Sequence, residues 1–169
     1  YSKLEIVNIG ASDFFTSVTR DVDFAWIFYG WDGIKAELED FPINFMLLQE
    51  VEPLLDFYTP LIIASEDTIA ENPGLIKKFL SATEKGYMFA IENPEEAARL
   101  FLLDNSELDS EMVIASQEYL SGHYMGDSPR WGVMEKSVWD NFSNWMYENN
   151  LLQSNLESDM AFTNEFLPH

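Results

Sequence analysis

Asp23-Phe-Ala-Trp-Ile-Phe-Tyr-Gly-Trp-Asp-Gly33 holds five aromatic residues in eleven positions. Its first half reads as an apolar strand, in which Phe24, Trp26 and Phe28 recur at the strand period of two. Rings so spaced can be buried together on one face, and Trp26 in particular reads as core filling. The pattern stops at Tyr29-Gly30-Trp31-Asp32-Gly33, where two glycines interrupt it. Tyr29 and Trp31 therefore fall where a strand ends and a helix begins. In open α/β sheets that edge is where ligands bind, beyond the carboxyl ends of the strands. Flat rings, a few polar atoms and glycine backbone suit a flat, neutral heterocycle. Tyr29 and Trp31 admit two readings at this point, ligand contact and core packing.

Working outward, residues 4–9 form a short apolar run ended by Gly10. Ala11-Ser12-Asp13 then offers a helix start, with Ser12 or Asp13 as N-cap. A helix is expected over 31–38, and further strands over 44–48 and 58–64. Strand, helix, strand, helix, strand is the order of a mostly parallel sheet with helical crossovers. Beyond Ala64 the pattern turns helical. Asn72-Pro73 and Asn93-Pro94 each place an N-cap residue before a proline at the first helical position. Glu95 and Glu96 suit the positive end of the helix that Pro94 opens. Two more helices are expected over 109–120 and 135–149, joined by a turn-rich connector over 122–131. The organisation implied is a β-rich segment over 1–52, a crossing over 53–60 and a helical part over 61–169. Three or four strands alone would leave raw sheet edges, which proteins normally cover or pair. With Tyr1 in place of an initiator Met, the chain reads as a fragment whose N-terminal part is missing.

The 169 residues carry 30 acidic and 9 basic side chains, a net charge of −21. Such a charge opposes nucleic-acid binding, which depends on Lys and Arg at phosphates. It equally opposes docking on anionic lipid. Apolar residues make up 47%, enough for a core. No cysteine is present, which excludes disulfides, thiolate nucleophiles and zinc–cysteine sites. No apolar run approaches the ~20 residues that cross a bilayer.

Signatures of catalysis are weak. His123 lies in a polar turn, His169 is the last residue, and neither has a metal-ligand spacing. There is no nucleophile elbow and no phosphate-binding loop. The oxygen-rich run 104–111 lacks the glycine and spacing of a calcium loop and reads as a linker that caps the next helix. A binding constellation remains. Gly10, Ser12 and Asp13 follow one strand; Tyr29, Gly30, Trp31 and Asp32 follow another; both should open on the same sheet edge. Ser12 and Asp13 have helix capping as their alternative role. Asp32, or failing it Asp13, could accept hydrogen bonds from a ligand amine. Tyr58 lies between Pro53 and Pro60, in a run that reads either as a hinge or as a rigid strand with Tyr58 buried.

LEIVNIG (4–10), ASDFF (11–15), RDVDFAWIFYGWDGI (20–34), ENPGLIKKFLSATEKGY (71–87), ENPEEAARLFL (92–102), RWGVMEKSVWDNFSNWMYENNLL (130–152) and FTNEFLP (162–168) occur in that order. As an ordered set spanning nearly the whole chain they resemble the later part of NMT1/THI5-like substrate-binding proteins. The resemblance implies an α/β fold of the type II periplasmic-binding-protein kind, with most of the second lobe and a helical return into the first. It implies an extracytoplasmic solute-binding component of an ABC importer, with the transporter permease as partner. The ligand implied is a thiamine-related aminopyrimidine, of hydroxymethylpyrimidine or formylaminopyrimidine type. Gly10, Ser12, Asp13, Tyr29, Gly30, Trp31, Asp32 and Tyr58 would contact it. No catalytic residue, cofactor or metal is implied. The only tie to a membrane would be an N-terminal lipid anchor lost with the missing segment. The same group holds a pyrimidine-precursor synthase with a cysteine-rich motif, whose counterpart here, Leu54-Leu-Asp-Phe-Tyr-Thr59, has no cysteine. That departure favours transport over synthesis. Other members of the group bind sulfonates or riboflavin.

Overall fold

The structure, a computed structural model, describes residues 3–8 and 14–168. Gly10, Ser12 and Asp13, with the helix start expected there, lie outside the described residues. Helices α1 (Phe14–Arg20), α2 (Ile34–Leu38), α3 (Leu48–Val51), α4 (Glu66–Glu71), α5 (Pro73–Glu92), α6 (Pro94–Asp104), α7 (Ser110–Ser121) and α8 (Lys136–Glu148) follow in order. Short 3-10 turns occupy Pro53–Leu55 and Ser158–Met160, and a π-helical turn occupies Tyr29–Gly33.

Local chemistry accounts for the helix ends. Pro73 opens α5 after Asn72, though the Asn72 side chain makes no capping bond. Asn93 looks backward instead, its amide donating to the Phe89 carbonyl at 3.2 Å and closing α5. Asp109 caps α7 by accepting the Met112 amide at 2.8 Å, so the acidic run over 104–111 does serve as a helix cap. Helix α4 was not expected from the sequence; Ser65 starts it by accepting the Thr68 amide at 3.2 Å. Asp40 (φ 50°) and Asn150 (φ 60°) turn the chain out of α2 and α8 in the left-handed region, which Asn and Asp tolerate better than most residues.

The expected strands take a different form. Among the described residues no strand forms, and the stretches 4–8, 22–28, 42–47 and 56–64 run as irregular chain. Their dihedrals can still be extended, as at Phe28 (φ −98°, ψ 110°) and Asp56 (φ −76°, ψ 109°). Extended backbone becomes a strand only when a neighbour supplies the hydrogen-bond ladder. The rings expected to be buried are correspondingly exposed: Phe24 by 72%, Trp26 by 65% and Phe28 by 66%. Ala25 and Ile27, between these rings, are half-buried, so an inner and an outer side persist over 24–28 without a sheet.

The chain divides into two compact units that interleave along the sequence. The first comprises 1–43 and 95–120. Its buried apolar residues are Phe15, Ile34, Ala36, Ala98, Met112 and Val113. Phe15 meets Phe41 edge to face at 5.0 Å, which ties the chain leaving α2 back onto α1. The second unit comprises 44–94 and 121–169 and buries Trp131 and Phe166. There Trp131 stacks obliquely on Tyr87 at 5.1 Å, and Phe57 stacks on Phe142 at 4.6 Å.

Candidate functional site

The turn Tyr29–Gly33 belongs to the first unit and joins the irregular stretch 22–28 to α2. The Phe28 carbonyl receives the amides of Trp31 and Asp32, both at 3.0 Å. At the other end the Ile34 amide reaches the Trp31 and Tyr29 carbonyls. Single π-turns of this kind occur often at functional sites.

Side chains fix the turn further. Gly33 has ordinary helical dihedrals (φ −65°, ψ −46°), so its glycine is not required by backbone conformation. It is required by space: a Cβ there would lie 2.4 Å from Cδ2 of Tyr29 and 2.7 Å from its Cγ. The Tyr29 ring therefore rests directly on the turn it begins. Its hydroxyl donates to an Oε1 of Glu37, and its ring tilts against Tyr119 at 5.3 Å. The hydrogen bond to the Glu37 carboxylate, with burial and the negative charge adding to it, pushes the Tyr29 phenol up to about 12. Helix α7 holds the next residue. The Ser116 hydroxyl, almost wholly buried, donates to the Gly30 carbonyl at 2.5 Å. A Cβ on Gly30 would lie 2.6 Å from Cδ2 of Leu120.

Two groups on the turn are left for other work. Trp31 is 42% exposed. Asp32 is half-buried, and its carboxylate makes no hydrogen bond or ion pair among the described residues. Lys35 does not neutralise it, being drawn to Glu39 at 3.8 Å and over the Phe15 ring at 4.7 Å. A flat, exposed ring can stack on a heterocycle, and an uncommitted carboxylate can accept hydrogen bonds from its N–H groups.

The eight residues singled out in the sequence thus have different fates. Tyr29, Gly30, Trp31 and Asp32 share one turn. Gly10, Ser12 and Asp13 are outside the described residues. Tyr58 belongs to the second unit, where its hydroxyl accepts the Glu135 amide at 2.7 Å ahead of α8. Sequence reasoning missed Glu37, Ser116 and Tyr119. Glu37 lies eight residues beyond Tyr29, about two helical turns, a spacing that could have suggested it. Ser116 carries no such signal, since 86 positions separate it from Gly30. A shallow depression lined by residues 18–23 is open to solvent and crossed by the Arg20–Asp21 ion pair at 2.9 Å. Among the described residues no group of three or more His, Asp or Glu side chains is placed to hold a metal ion. Nor is any helix among them long and apolar enough to cross a membrane.

An exposed aromatic ring and an uncommitted carboxylate on one turn are the kind of groups that small-molecule binding proteins use. Comparison with known proteins agrees in class. The profile of the family described as NMT1/THI5-like matches residues 1–97, and the chain belongs to that family, whose fold is of the periplasmic-binding-protein type. The chain is also similar to the riboflavin-binding protein RibY of Chloroflexus aurantiacus, with 30% identity over 118 residues. That match covers 63% of this chain and 32% of the relative, so the chain spans about a third of the relative's length.

Proposed function

We propose that this chain is part of an extracytoplasmic solute-binding component of an ABC importer, and that it contributes the Tyr29–Gly33 turn to the ligand site. The observation that carries the reading is that one turn leaves both the Trp31 ring exposed and the Asp32 carboxylate uncommitted. Such a pair suits a flat nitrogen heterocycle that bears hydrogen-bond donors. A thiamine-related aminopyrimidine presents an exocyclic amine to Asp32 and a ring face to Trp31. Asp13, Ser12 and Gly10 are proposed to approach the same ligand, and Tyr58 to lie in a hinge crossing over 53–60, between the 1–52 segment and the helical part over 61–169. The permease of the transporter is the proposed protein partner.

Riboflavin is the second reading, and the name of the Chloroflexus relative favours it. The isoalloxazine also offers a flat face and an imide N–H. A sulfonate is disfavoured, because a second negative charge beside Asp32 finds no free cation on the turn. Binding without turnover is proposed for the whole protein; the run over 54–59, which has no cysteine, supports it.

Isothermal calorimetry with hydroxymethylpyrimidine, formylaminomethylpyrimidine, riboflavin and an alkanesulfonate tests the reading. Saturable binding of a pyrimidine or of riboflavin, weakened by Asp32→Asn, is expected. Asparagine keeps the shape but replaces one acceptor oxygen by a donor, and an unmatched polar contact in a closed site costs about 1–3 kcal/mol. Binding of the sulfonate alone would overturn the assignment.

A further inference from the structure

On the turn read above as the ligand site, two residues outside it decide which of its groups can face a ligand. We infer that Glu37 and Ser116 are positioning residues. Glu37 holds the Tyr29 hydroxyl and Ser116 holds the Gly30 carbonyl, so that Trp31 and Asp32, and not Tyr29 or Gly30, meet the solute. The inference rests on the proposed ligand reading, and it goes further by removing two of the four candidate contact residues on the turn from direct contact.

The geometry supports this in three ways. First, the polar atoms of Tyr29 and Gly30 that a ligand could use are engaged from within: the phenol donates to Glu37, and the carbonyl accepts from Ser116 at 2.5 Å. Second, the Tyr29 ring is packed against two neighbours. Gly33 lies beneath it with no room for even a methyl group, and Tyr119 tilts against it at 5.3 Å. A ring packed on the turn in this way acts as a strut. Third, the two holding residues come from different elements of the same unit, Glu37 from α2 and Ser116 from α7. A turn fixed at Tyr29 and again at Gly30 has little freedom left at Trp31, whose amide is already committed to the Phe28 carbonyl. Preorganisation of this kind improves affinity by reducing what must be ordered on binding.

The full chain, with Glu37→Ala, Glu37→Gln, Ser116→Ala and Tyr29→Phe variants, provides the test. Calorimetry with hydroxymethylpyrimidine and riboflavin is expected to show about tenfold weaker binding for Glu37→Ala and for Ser116→Ala, at unchanged helix content. Glu37→Gln keeps an acceptor for the phenol and should bind within about twofold of the parent. Ultraviolet titration, with Tyr29→Phe to assign the signal, should find Tyr29 ionising well below 12 in Glu37→Ala, close to the ordinary phenol value of about 10. Hydrogen exchange at the Trp31 and Asp32 amides should quicken in both alanine variants. Parent-like affinity in folded Glu37→Ala and Ser116→Ala would overturn the inference. If the parent binds neither probe, the ligand reading fails by itself. The positioning role is then judged on ionisation and exchange, and it is overturned if both stay at parent values.

Discussion

The stretch 22–28 and the turn Tyr29–Gly33 adjoin one another and are similarly rich in aromatic rings, yet they are held in different ways. Phe24, Trp26 and Phe28 each expose about two thirds of their surface or more. Tyr29, one residue further on, has its ring wedged over Gly33 and its hydroxyl on Glu37. The turn closes with bonds to residues a few positions away and is then clasped by α7. The stretch before it needs a neighbouring strand that the described residues do not provide. An aromatic-rich sequence therefore sets the capacity for burial, while the partners within reach decide whether burial occurs.

Gly33→Ala should break the ordered side of this contrast most severely. The added methyl meets the Tyr29 ring near its root, where the side chain cannot swing clear. Overpacking of this kind costs about 1–3 kcal/mol, and urea unfolding should read a loss in that range together with loss of the Tyr29–Glu37 bond. Gly30→Ala meets chiefly the Leu120 side chain, with Cδ2 as its nearest atom, and should cost less because that end can move. Gly86, inside α5 with open space around its Cα, is the control: Gly86→Ala should stabilise by about 0.5–1 kcal/mol, because glycine is a poor helix residue.

The same contrast explains what the sequence revealed and what it withheld. Helices α5, α6 and α7 were legible because Pro73, Pro94 and Asp109 act on their own neighbourhoods. The turn was legible because two glycines interrupt a period-two pattern. The stretches 4–8, 22–28, 42–47 and 56–64 have the composition of strands, but a ladder is a relation between segments and cannot be read from one. For the proposed site, Trp31 and Asp32 are candidates from their position at the break alone. That Tyr29 would be consumed as a strut depends on Glu37 and on Tyr119, 90 residues away, and no local pattern announces such a contact.

Alkali offers the next sharpest distinction. The Tyr29 phenol is held up at about 12, chiefly by its bond to Glu37, so the folded protein keeps that proton more tightly than the unfolded chain does. Its contribution to stability is complete below the ordinary phenol value of about 10 and is lost as the pH climbs towards 12. Denaturant midpoints measured across pH 9–12 should fall more steeply for the parent than for Tyr29→Phe. Parallel curves would show that the turn does not depend on the Tyr29–Glu37 contact.

Trp31 belongs to the turn by position and to the surface by exposure, so it separates binding from folding. Trp31→Ala should leave the unfolding midpoint nearly unchanged. Ligand affinity should drop by the stacking contribution of about 0.5–1.5 kcal/mol, between twofold and about tenfold in dissociation constant. A midpoint that falls in step with affinity would place the indole in the core instead.

The smallest effect is expected where the aromatic content is highest. Trp26 is 65% exposed on a stretch without a ladder, and Phe24 and Phe28 flank it on the same outer side. Replacing an exposed side chain that has no fixed partner changes stability by about 0.5 kcal/mol or less. Trp26→Ser should therefore leave the unfolding curve of this chain within that margin and should raise its solubility, since it removes part of an exposed apolar row. Ala25 and Ile27, half-buried on the other side, supply the comparison, and Ile27→Ser should cost more than Trp26→Ser. A loss above about 2 kcal/mol for Trp26→Ser would mean that the indole is covered in solution, as burial of a large ring requires. The stretch 22–28 would then have found a partner strand, and the difference between it and the turn would be one of reach along the chain and not of order.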